Sequence, residues 1–186
     1  MTVRHQKIVK TLIEAMPYIR RFRGTAVVLK YGGAAMTASR LQEQFAEDAV
    51  VLRLVGMKPV VVHGGGPQIS THMRLGMEPR FVDGQCATDK ATLEVSKTVL
   101  IGKVNKEIVG LVNRRGGTAV GISGEDAEVS VAVLDLLAEA DIPAVASVGP
   151  DASREAYSVS ADTAAGELAA ACSPRWRPCG GRWRPA

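Results

Sequence analysis

Apolar residues fall into two alternating patterns along the chain. Four short runs, rich in β-branched and other apolar residues and bounded by glycine or proline, predict β-strands. They are residues 25–30, 58–63, 118–122 and 144–148. Between them, apolar residues recur every three or four positions, which predicts amphipathic helices. These are residues 6–22, 39–54, 67–75, 89–115, 134–139 and a last helix that begins at Ser160 or Asp162.

Strands that alternate with helices indicate right-handed crossovers between parallel neighbours. We therefore predict an α/β protein with three layers, α/β/α, built on a mainly parallel sheet. Residues 77–87 have neither pattern and predict an irregular segment or a short hairpin. Thr37 or Ser39 is the expected N-cap of the second helix. The apolar stripe of that helix is expected to contain Leu41, Phe45, Ala49 and Leu52.

The 186 residues divide into three parts. Residues 1–24 are predicted to form an amphipathic helix, residues 25–171 the α/β domain, and residues 172–186 an unstructured basic tail. From Ser173 onward this tail contains four arginines, three prolines and both tryptophans of the chain. We interpret the bias as translation out of frame after Ala171, with an evolved basic arm as the alternative.

The formal net charge of +4 equals the contribution of the four arginines in the tail, so residues 1–172 are neutral overall. Within them, the first helix is basic, and such a helix is able to contact nucleic acid or a membrane. No aromatic residues interleave its charges, so a solvated helix face is the preferred interpretation. The sequence has no apolar run of about 18 residues and no signal-peptide pattern. We therefore expect a cytoplasmic protein with neither nucleic acid nor membrane as a partner.

Cysteine and histidine spacing gives no metal signature. The three cysteines lack a CxxC spacing, and the three histidines form no HExxH pair. We predict no protein metal site and no disulfide framework. Cys86 is interpreted as a small buried or loop residue, with a reactive thiol as the alternative.

Two of the predicted strands break abruptly into glycines before a helix. Residues 26–29 run into Lys30, Tyr31, Gly32 and Gly33, and residues 59–62 run into His63 and three glycines, Gly64, Gly65 and Gly66. A glycine turn after a buried strand exposes backbone N–H groups at the carboxyl edge of a sheet, where phosphates and carboxylates bind. The pattern indicates a site for a phosphate chain and a second anionic substrate.

Lys30 is the first candidate for chemistry. A lysine at the end of a strand is able to reach over the following glycines and neutralise charge on a transferring phosphoryl group. The alternative is a lysine that merely ends a strand. The triple glycine is a stronger signal, because consecutive glycines are entropically unfavourable unless a ligand or an unusual backbone angle requires them. A plain tight turn remains the alternative there.

Asp162 falls in the first turn of the last predicted helix. A carboxylate at this position interacts favourably with the helix dipole. It is also able to orient Lys30 by a charge-assisted hydrogen bond. The residues alone leave both roles open.

Taken in order, four motifs resemble the amino acid kinase family, and within it the acetylglutamate kinases. They are KYGGAAM at 30–36, VVHGGGPQI at 61–69, VGISGED at 120–126 and ADTAAG at 161–166. The resemblance extends over roughly residues 6–171. It implies ATP-dependent phosphorylation of the γ-carboxylate of N-acetyl-L-glutamate, a step of arginine biosynthesis, with Mg²⁺ arriving bound to ATP. Carbamate, aspartate or nucleotide kinases are the alternative relatives, and the details of the first and last motifs favour acetylglutamate.

The resemblance also implies roles for individual residues. Lys30 and Asp162 would be catalytic, with the lysine on the transferring phosphoryl group and the aspartate organising it. Phosphate would be bound by Gly32, Gly33 and Gly64. Acetylglutamate would be bound by Gly65, Gly66, Cys86 and Ser158. The basic first helix resembles the extension of arginine-inhibited hexameric members, which implies a homo-oligomer, dimer or hexamer, and arginine feedback.

The sequence departs from the family pattern at several positions. Ala34 replaces an asparagine, Cys86 aligns with the arginine that pairs with the substrate α-carboxylate, and Ser158 aligns with an asparagine. The family's C-terminal part, which builds the ATP site, has no counterpart in the sequence. We therefore expect little or no turnover from this polypeptide. A non-catalytic remnant that oligomerises or binds acetylglutamate weakly is the alternative function.

Overall fold

The computed structural model describes residues 3–73, 81–82, 85–86, 90–126, 137–139, 141–150 and 156–171. The predicted tail, residues 172–186, lies outside them. The first helices are α1 (Val3–Phe22), α2 (Ser39–Leu54) and α3 (Gly66–Met73), with a short 3₁₀ turn at Gly33–Met36. One long helical stretch then comprises α4 (Lys90–Lys97), a π-helical segment (Thr98–Val104) and α5 (Asn105–Arg114). The last helix is α6 (Ala161–Ala171).

The main sheet has four strands in the order β1-β2-β6-β5, and every neighbouring pair is parallel. These strands are β1 (Ala26–Tyr31), β2 (Lys58–His63), β5 (Ala119–Ser123) and β6 (Ile142–Ala146). Two antiparallel pairs complete the described strands. They are β3 (Phe81–Val82) with β4 (Gln85–Cys86), and β7 (Val148–Pro150) with β8 (Ala156–Ser158).

Side chains of β2 alternate between two apolar clusters, one on each face of the sheet. Val61 packs in a cluster with buried residues of α2 and α5, including Ala49 and Ile108. Val60 and Val62 pack in the other, with buried residues of α6. Because helices cover both faces, the structure confirms the predicted three-layer α/β/α architecture.

The predicted strands and most of the helices are confirmed within one to three residues. Of the helix predicted at residues 134–139, residues 137–139 are helical and the others lie outside the described ranges. In the segment predicted as irregular or a short hairpin, the antiparallel pairing of Phe81–Val82 with Gln85–Cys86 favours the hairpin. The predicted cap of α2 is wrong. Ala38 precedes that helix in extended conformation and makes no side-chain capping bond. The predicted stripe is confirmed in part: Ala49 is buried and Phe45 packs against the core, whereas Leu41 is 40% exposed. Ala46 and Val50 are the buried residues of α2 that the prediction missed. None of the helices in the described ranges combines the length and apolarity needed to span a bilayer.

Candidate active site at the carboxyl edge of the sheet

The carboxyl ends of the four parallel strands meet at one edge. Tyr31 is in register with His63, His63 with Ala146, and Ala146 with Ser123. The segments that follow these four strands therefore all leave the sheet at the same edge. In parallel sheets this edge is where ligands bind, since glycine turns and helix N-termini present N–H groups there.

Lys30 and Asp162 form an ion pair at this edge. The Lys30 Nζ lies 3.1 Å from the Asp162 Oδ1, and both side chains are solvent-accessible, at 38% and 74% exposure. Asp162 lies in the first turn of α6, which packs against β1. The pairing left open by the sequence is therefore present: the carboxylate contacts the lysine and also occupies a favourable place at a helix N-terminus.

The first glycine turn leaves space for the lysine. A Cβ added at Gly32 would lie 3.2 Å from both the Cε and the Nζ of Lys30, so a side chain there would displace the ammonium group. Gly33 has a φ of 61°, a left-handed conformation that other residues adopt at a cost. Both glycines are thus explained by local geometry.

The second glycine turn lies beside the first. The Gly64 N–H donates to the Tyr31 carbonyl at 3.3 Å, which joins the two turns. A Cβ on Gly64 would touch the Ala161 Cβ at 3.4 Å, so the turn abuts the start of α6. A Cβ on Gly65 would come within 2.6 Å of the Leu100 Cδ2, so this position packs tightly on the π-helical segment. Gly66 is exposed and begins α3.

The two remaining predicted site residues lie in the small antiparallel pairs. Ser158 ends β8 and is in register with Val148. Ser147, which precedes that strand pair, donates its N–H to the His63 carbonyl at 3.1 Å and accepts from the Val159 N–H at 2.9 Å. Ser158 is therefore tied to the carboxyl edge through its neighbours. Cys86 lies in β4, in register with Phe81.

A third turn follows β5. Asp126 accepts hydrogen bonds from the Ser123 N–H at 2.6 Å and from the Ser123 hydroxyl at 3.0 Å. Next to it, Glu125 pairs with Lys97 of α4 at 3.0 Å, with both side chains partly buried. These contacts hold the β5 turn against the long helix.

Sequence reasoning missed two buried residues beneath the edge, His63 and Asn105. Both are fully or almost fully buried, and the Asn105 Nδ2 lies 3.0 Å from the His63 Nε2. Burial lowers the pKa of His63 to about 4, although its hydrogen bond with the Gly64 carbonyl opposes the shift. The signal for His63 was present in the sequence, since it continues a strand buried on both faces. Asn105 gave no such signal.

Tyr31 is a second perturbed group next to the turn. Burial raises its pKa to about 12, and the Glu107 carboxylate adds to the effect. The ring stacks on Phe45 at a centroid distance of 4.3 Å, and the hydroxyl donates to the Ala35 carbonyl at 3.2 Å. Tyr31 therefore remains a neutral phenol at ordinary pH and helps to fix the 3₁₀ turn after Gly32.

The arrangement places a mobile cation, two glycine turns and a helix N-terminus around one strip of the sheet edge. Such groups stabilise negative charge, which is what phosphoryl transfer demands of a protein. Within the described ranges, no three His, Cys, Asp or Glu side chains are grouped so that they could hold a metal ion. The edge is suited to binding an anion by positive charge and backbone N–H groups.

A four-stranded parallel sheet with helices on both faces places the chain in the α/β class, and the sequence comparison identifies its family. A model of the amino acid kinase family matches residues 25–176, and the chain belongs to that family. Within the family, the chain is similar to acetylglutamate kinases. It is 48% identical to that of Trichodesmium erythraeum, over 88% of this chain and 63% of that protein. It is 46% identical to that of Nostoc punctiforme, over 88% of this chain and 62% of that protein.

Comparison with solved structures supports the fold. The N-acetylglutamate synthase of Neisseria gonorrhoeae, solved with coenzyme A and N-acetyl-glutamate, superimposes with a TM-score of 0.72 at 19% identity. The match covers 88% of this chain and 43% of that one. The chain spans 62 to 63% of the length of the two acetylglutamate kinases just described.

Proposed function

We propose that the chain takes part in ATP-dependent phosphorylation of the γ-carboxylate of N-acetyl-L-glutamate. The observation that carries the proposal is the Lys30–Asp162 pair, 3.1 Å apart beside two glycine turns. Its support from comparison is the similarity to acetylglutamate kinases. The proposal concerns the side of the site that would hold the phosphoryl group and its acceptor.

In this reaction, a γ-carboxylate oxygen of acetylglutamate attacks the γ-phosphorus of ATP. The bond from that phosphorus to the β–γ bridging oxygen breaks, and ADP leaves with the electron pair. The product is an acyl phosphate, and no protein group has to be phosphorylated. Because the acceptor is already an anion, no general base is required. The protein's task is to align two anions and offset their repulsion.

Lys30 is proposed to neutralise charge on the transferring phosphoryl group, with Gly32, Gly33 and Gly64 providing N–H donors. Asp162 would hold the ammonium group over the turn between encounters with phosphate. Gly65, Gly66 and Ser158 are proposed to bind acetylglutamate. Cys86 would lie near the α-carboxylate.

Mg²⁺ is proposed to arrive with ATP. Each of three carboxylates near the edge already accepts from a protein donor: Asp162 from Lys30, Glu125 from Lys97, and Asp126 from Ser123. The triphosphate provides the oxygen ligands that Mg²⁺ prefers. The ion would neutralise phosphate charge and complement the lysine.

A homo-oligomer is proposed to form through α1. The apolar face of this helix is exposed, with Ile8 at 50%, Leu12 at 59% and Ile13 at 61%. A contiguous exposed apolar face of this kind is typical of a surface that another chain covers. Arginine feedback through the same extension is part of the proposal.

A second candidate is binding of acetylglutamate without turnover. It is favoured by Cys86, which stands where the resemblance implies an arginine. A thiol is unable to form a bidentate pair with a carboxylate, so weaker substrate binding is expected.

The test is a coupled ADP-release assay of the full chain with ATP, Mg²⁺ and N-acetyl-L-glutamate, with hydroxylamine present to trap acyl phosphate. Acetylglutamate-dependent ADP and hydroxamate, lost in Lys30→Met, would support the kinase. Acetylglutamate-dependent shifts of the glycine-turn amides without ADP release would support the second candidate. No turnover and no shifts would refute both.

A further inference from the structure

His63 is a buried imidazole at the end of β2, directly before the second glycine turn. Its exposed fraction is zero, and burial lowers its pKa to about 4. The ring is therefore neutral near pH 7, with a proton on one nitrogen and a lone pair on the other. The hydrogen-bond partners of the two nitrogens determine which nitrogen carries the proton.

The Nδ1 of His63 carries the proton. It lies 3.0 Å from the Gly64 carbonyl oxygen, which is able only to accept. The Nε2 is left with its lone pair and accepts from Asn105 Nδ2 at 3.0 Å. The orientation of the Asn105 amide is fixed independently, because the same Nδ2 donates to the Ala144 carbonyl at 2.8 Å. Reversing that amide would place two oxygens against each other.

This tautomer determines the direction of the next peptide group. The Gly64 carbonyl points inward to the imidazole, and in a planar trans peptide the C=O and the following N–H point in opposite directions. The Gly65 N–H is therefore directed away from the buried ring. At Gly65 itself, the Leu100 side chain fills the place where a Cβ would stand, so a glycine is required at this position.

We propose that His63, held by Asn105, is a positioning residue that turns the Gly65 N–H toward the bound anionic substrate. The inference rests on the proposed function, since that function supplies the anion. Neither side chain would touch acetylglutamate. The Gly64 carbonyl and the Asn105 amide together determine the tautomer, and the bond from Nδ1–H to that carbonyl sets the direction of the Gly65 N–H that the substrate would meet.

Substitutions of His63 separate this role from general packing. In Asn, the amide nitrogen stands at the same bond separation from Cβ as Nδ1, so His63→Asn is able to keep the bond to the Gly64 carbonyl. In Gln, the amide stands where Nε2 was, so His63→Gln keeps only the contact with Asn105. His63→Leu keeps neither, and Asn105→Leu removes the donor to Nε2.

The experiment titrates N-acetyl-L-glutamate into the labelled full chain and follows the Gly65 amide by NMR. We expect the Kd of His63→Asn to stay within about threefold of the unaltered chain, and that of His63→Gln and His63→Leu to rise about tenfold or more, as for loss of a hydrogen bond to a charged group. Circular dichroism selects the variants that are folded. Equal affinity in all three folded variants would overturn the positioning role while leaving the proposed function standing.

A second readout needs no ligand. In a chain with His5→Gln and His72→Gln, the ¹⁵N shifts of the remaining imidazole report its tautomer directly. A protonated Nδ1 and bare Nε2 in the unaltered chain would support the proposal, whereas a protonated Nε2 would overturn it whatever the binding result. If the unaltered chain shows the expected tautomer but binds no acetylglutamate, the proposed function is refuted. The proposed contact between the Gly65 N–H and the substrate is then refuted as well.

Discussion

Gly121 of β5 lies directly against the side-chain amide of Asn105, so that a Cβ on the glycine would overlap the Asn105 Oδ1. This oxygen is buried and has no hydrogen-bond partner within the described residues. The close approach is what lets the Asn105 amide nitrogen reach His63 and the Ala144 carbonyl at the same time. A glycine in the middle of a strand, usually unfavourable, is required here by its neighbour.

Gly121→Ala should therefore destabilise the fold. The added methyl group has to push the Asn105 amide away from its partners, so we expect a loss of about 1–3 kcal/mol in the free energy of unfolding. Urea denaturation followed by circular dichroism measures it. Gly166→Ala is the matched control, because nothing lies within 4 Å of the added Cβ on α6. That change should raise stability by roughly 0.5–1 kcal/mol, and an unchanged midpoint for Gly121→Ala would contradict the packing argument.

The Lys30–Asp162 pair should matter for chemistry rather than stability. Both side chains are substantially exposed, so Lys30→Met and Asp162→Asn should each change the free energy of unfolding by less than about 1 kcal/mol. Under the proposed function, Lys30→Met should lower kcat by about 10² or more, because it removes charge stabilisation at the transferring group. Denaturation curves and the ADP-release assay measure the two effects. A large loss of stability with unchanged kcat would show that the pair stabilises the fold and does not act in the reaction.

Stability should fall as pH drops below the ordinary pKa of His63. The pKa is about 4 in the folded chain against 6.5 for an unperturbed histidine, so the unfolded state binds the proton first. The contribution of neutral His63 to the free energy of unfolding is complete above pH 6.5 and is lost as pH falls toward 4. The loss between pH 7 and pH 5 amounts to about 2 kcal/mol. Of its neighbours, Tyr31 stays a neutral phenol in this range, and Ala146 and Asn105 do not titrate. The measurement is the difference in unfolding free energy between the unaltered chain and His63→Asn at each pH. A difference that does not vary with pH would show that the imidazole is not buried as neutral.

The exposed apolar face of α1 gives a prediction about assembly. If a second copy covers this face, Ile13→Lys should shift the chain to a smaller species in size-exclusion chromatography with light scattering, since Ile13 is 61% exposed. Lys7→Gln changes the charge of the same helix without touching an apolar residue and serves as the control. A monomer in the unaltered chain would remove the proposed role of α1.

The sheet and its glycine turns were predictable because their signals are local. Residues 59–62 are apolar and three glycines follow His63, so this short segment alone predicts the strand, its end and the turn. The pairing of Lys30 with Asp162 was less accessible, because the sequence left two roles for that carboxylate. The docking of α6 against β1 brings the carboxylate to Lys30 while it remains at the helix N-terminus, so both roles are present.

Asn105 was missed for a different reason. A polar residue within an amphipathic helix is normally assigned to the solvent face. Here the preceding π-helical segment changes the helix phase, and Asn105 points at the ends of β2 and β6. The prediction for the N-cap of α2 was wrong for a related reason. Thr37 and Ser39 both have side chains that are able to cap a helix, but Ala38 occupies the N-cap position. Neither outcome is encoded in residue type alone.

The π-helical segment has a consequence for how this region tolerates changes in length. It separates α4, which packs beside β8, from α5, whose first residue is Asn105. A π turn holds one more residue than an α turn, so it accommodates an extra residue while the helix that follows keeps its direction. Removing one residue from Thr98–Val104 should therefore leave Asn105 facing His63, whereas removing one from the α-helical turns of α4 would rotate the residues before it by about 100° relative to α5. Exposed positions such as Gly102 should accept new side chains, and the long helix should tolerate a deletion in its π-helical segment better than one in α4.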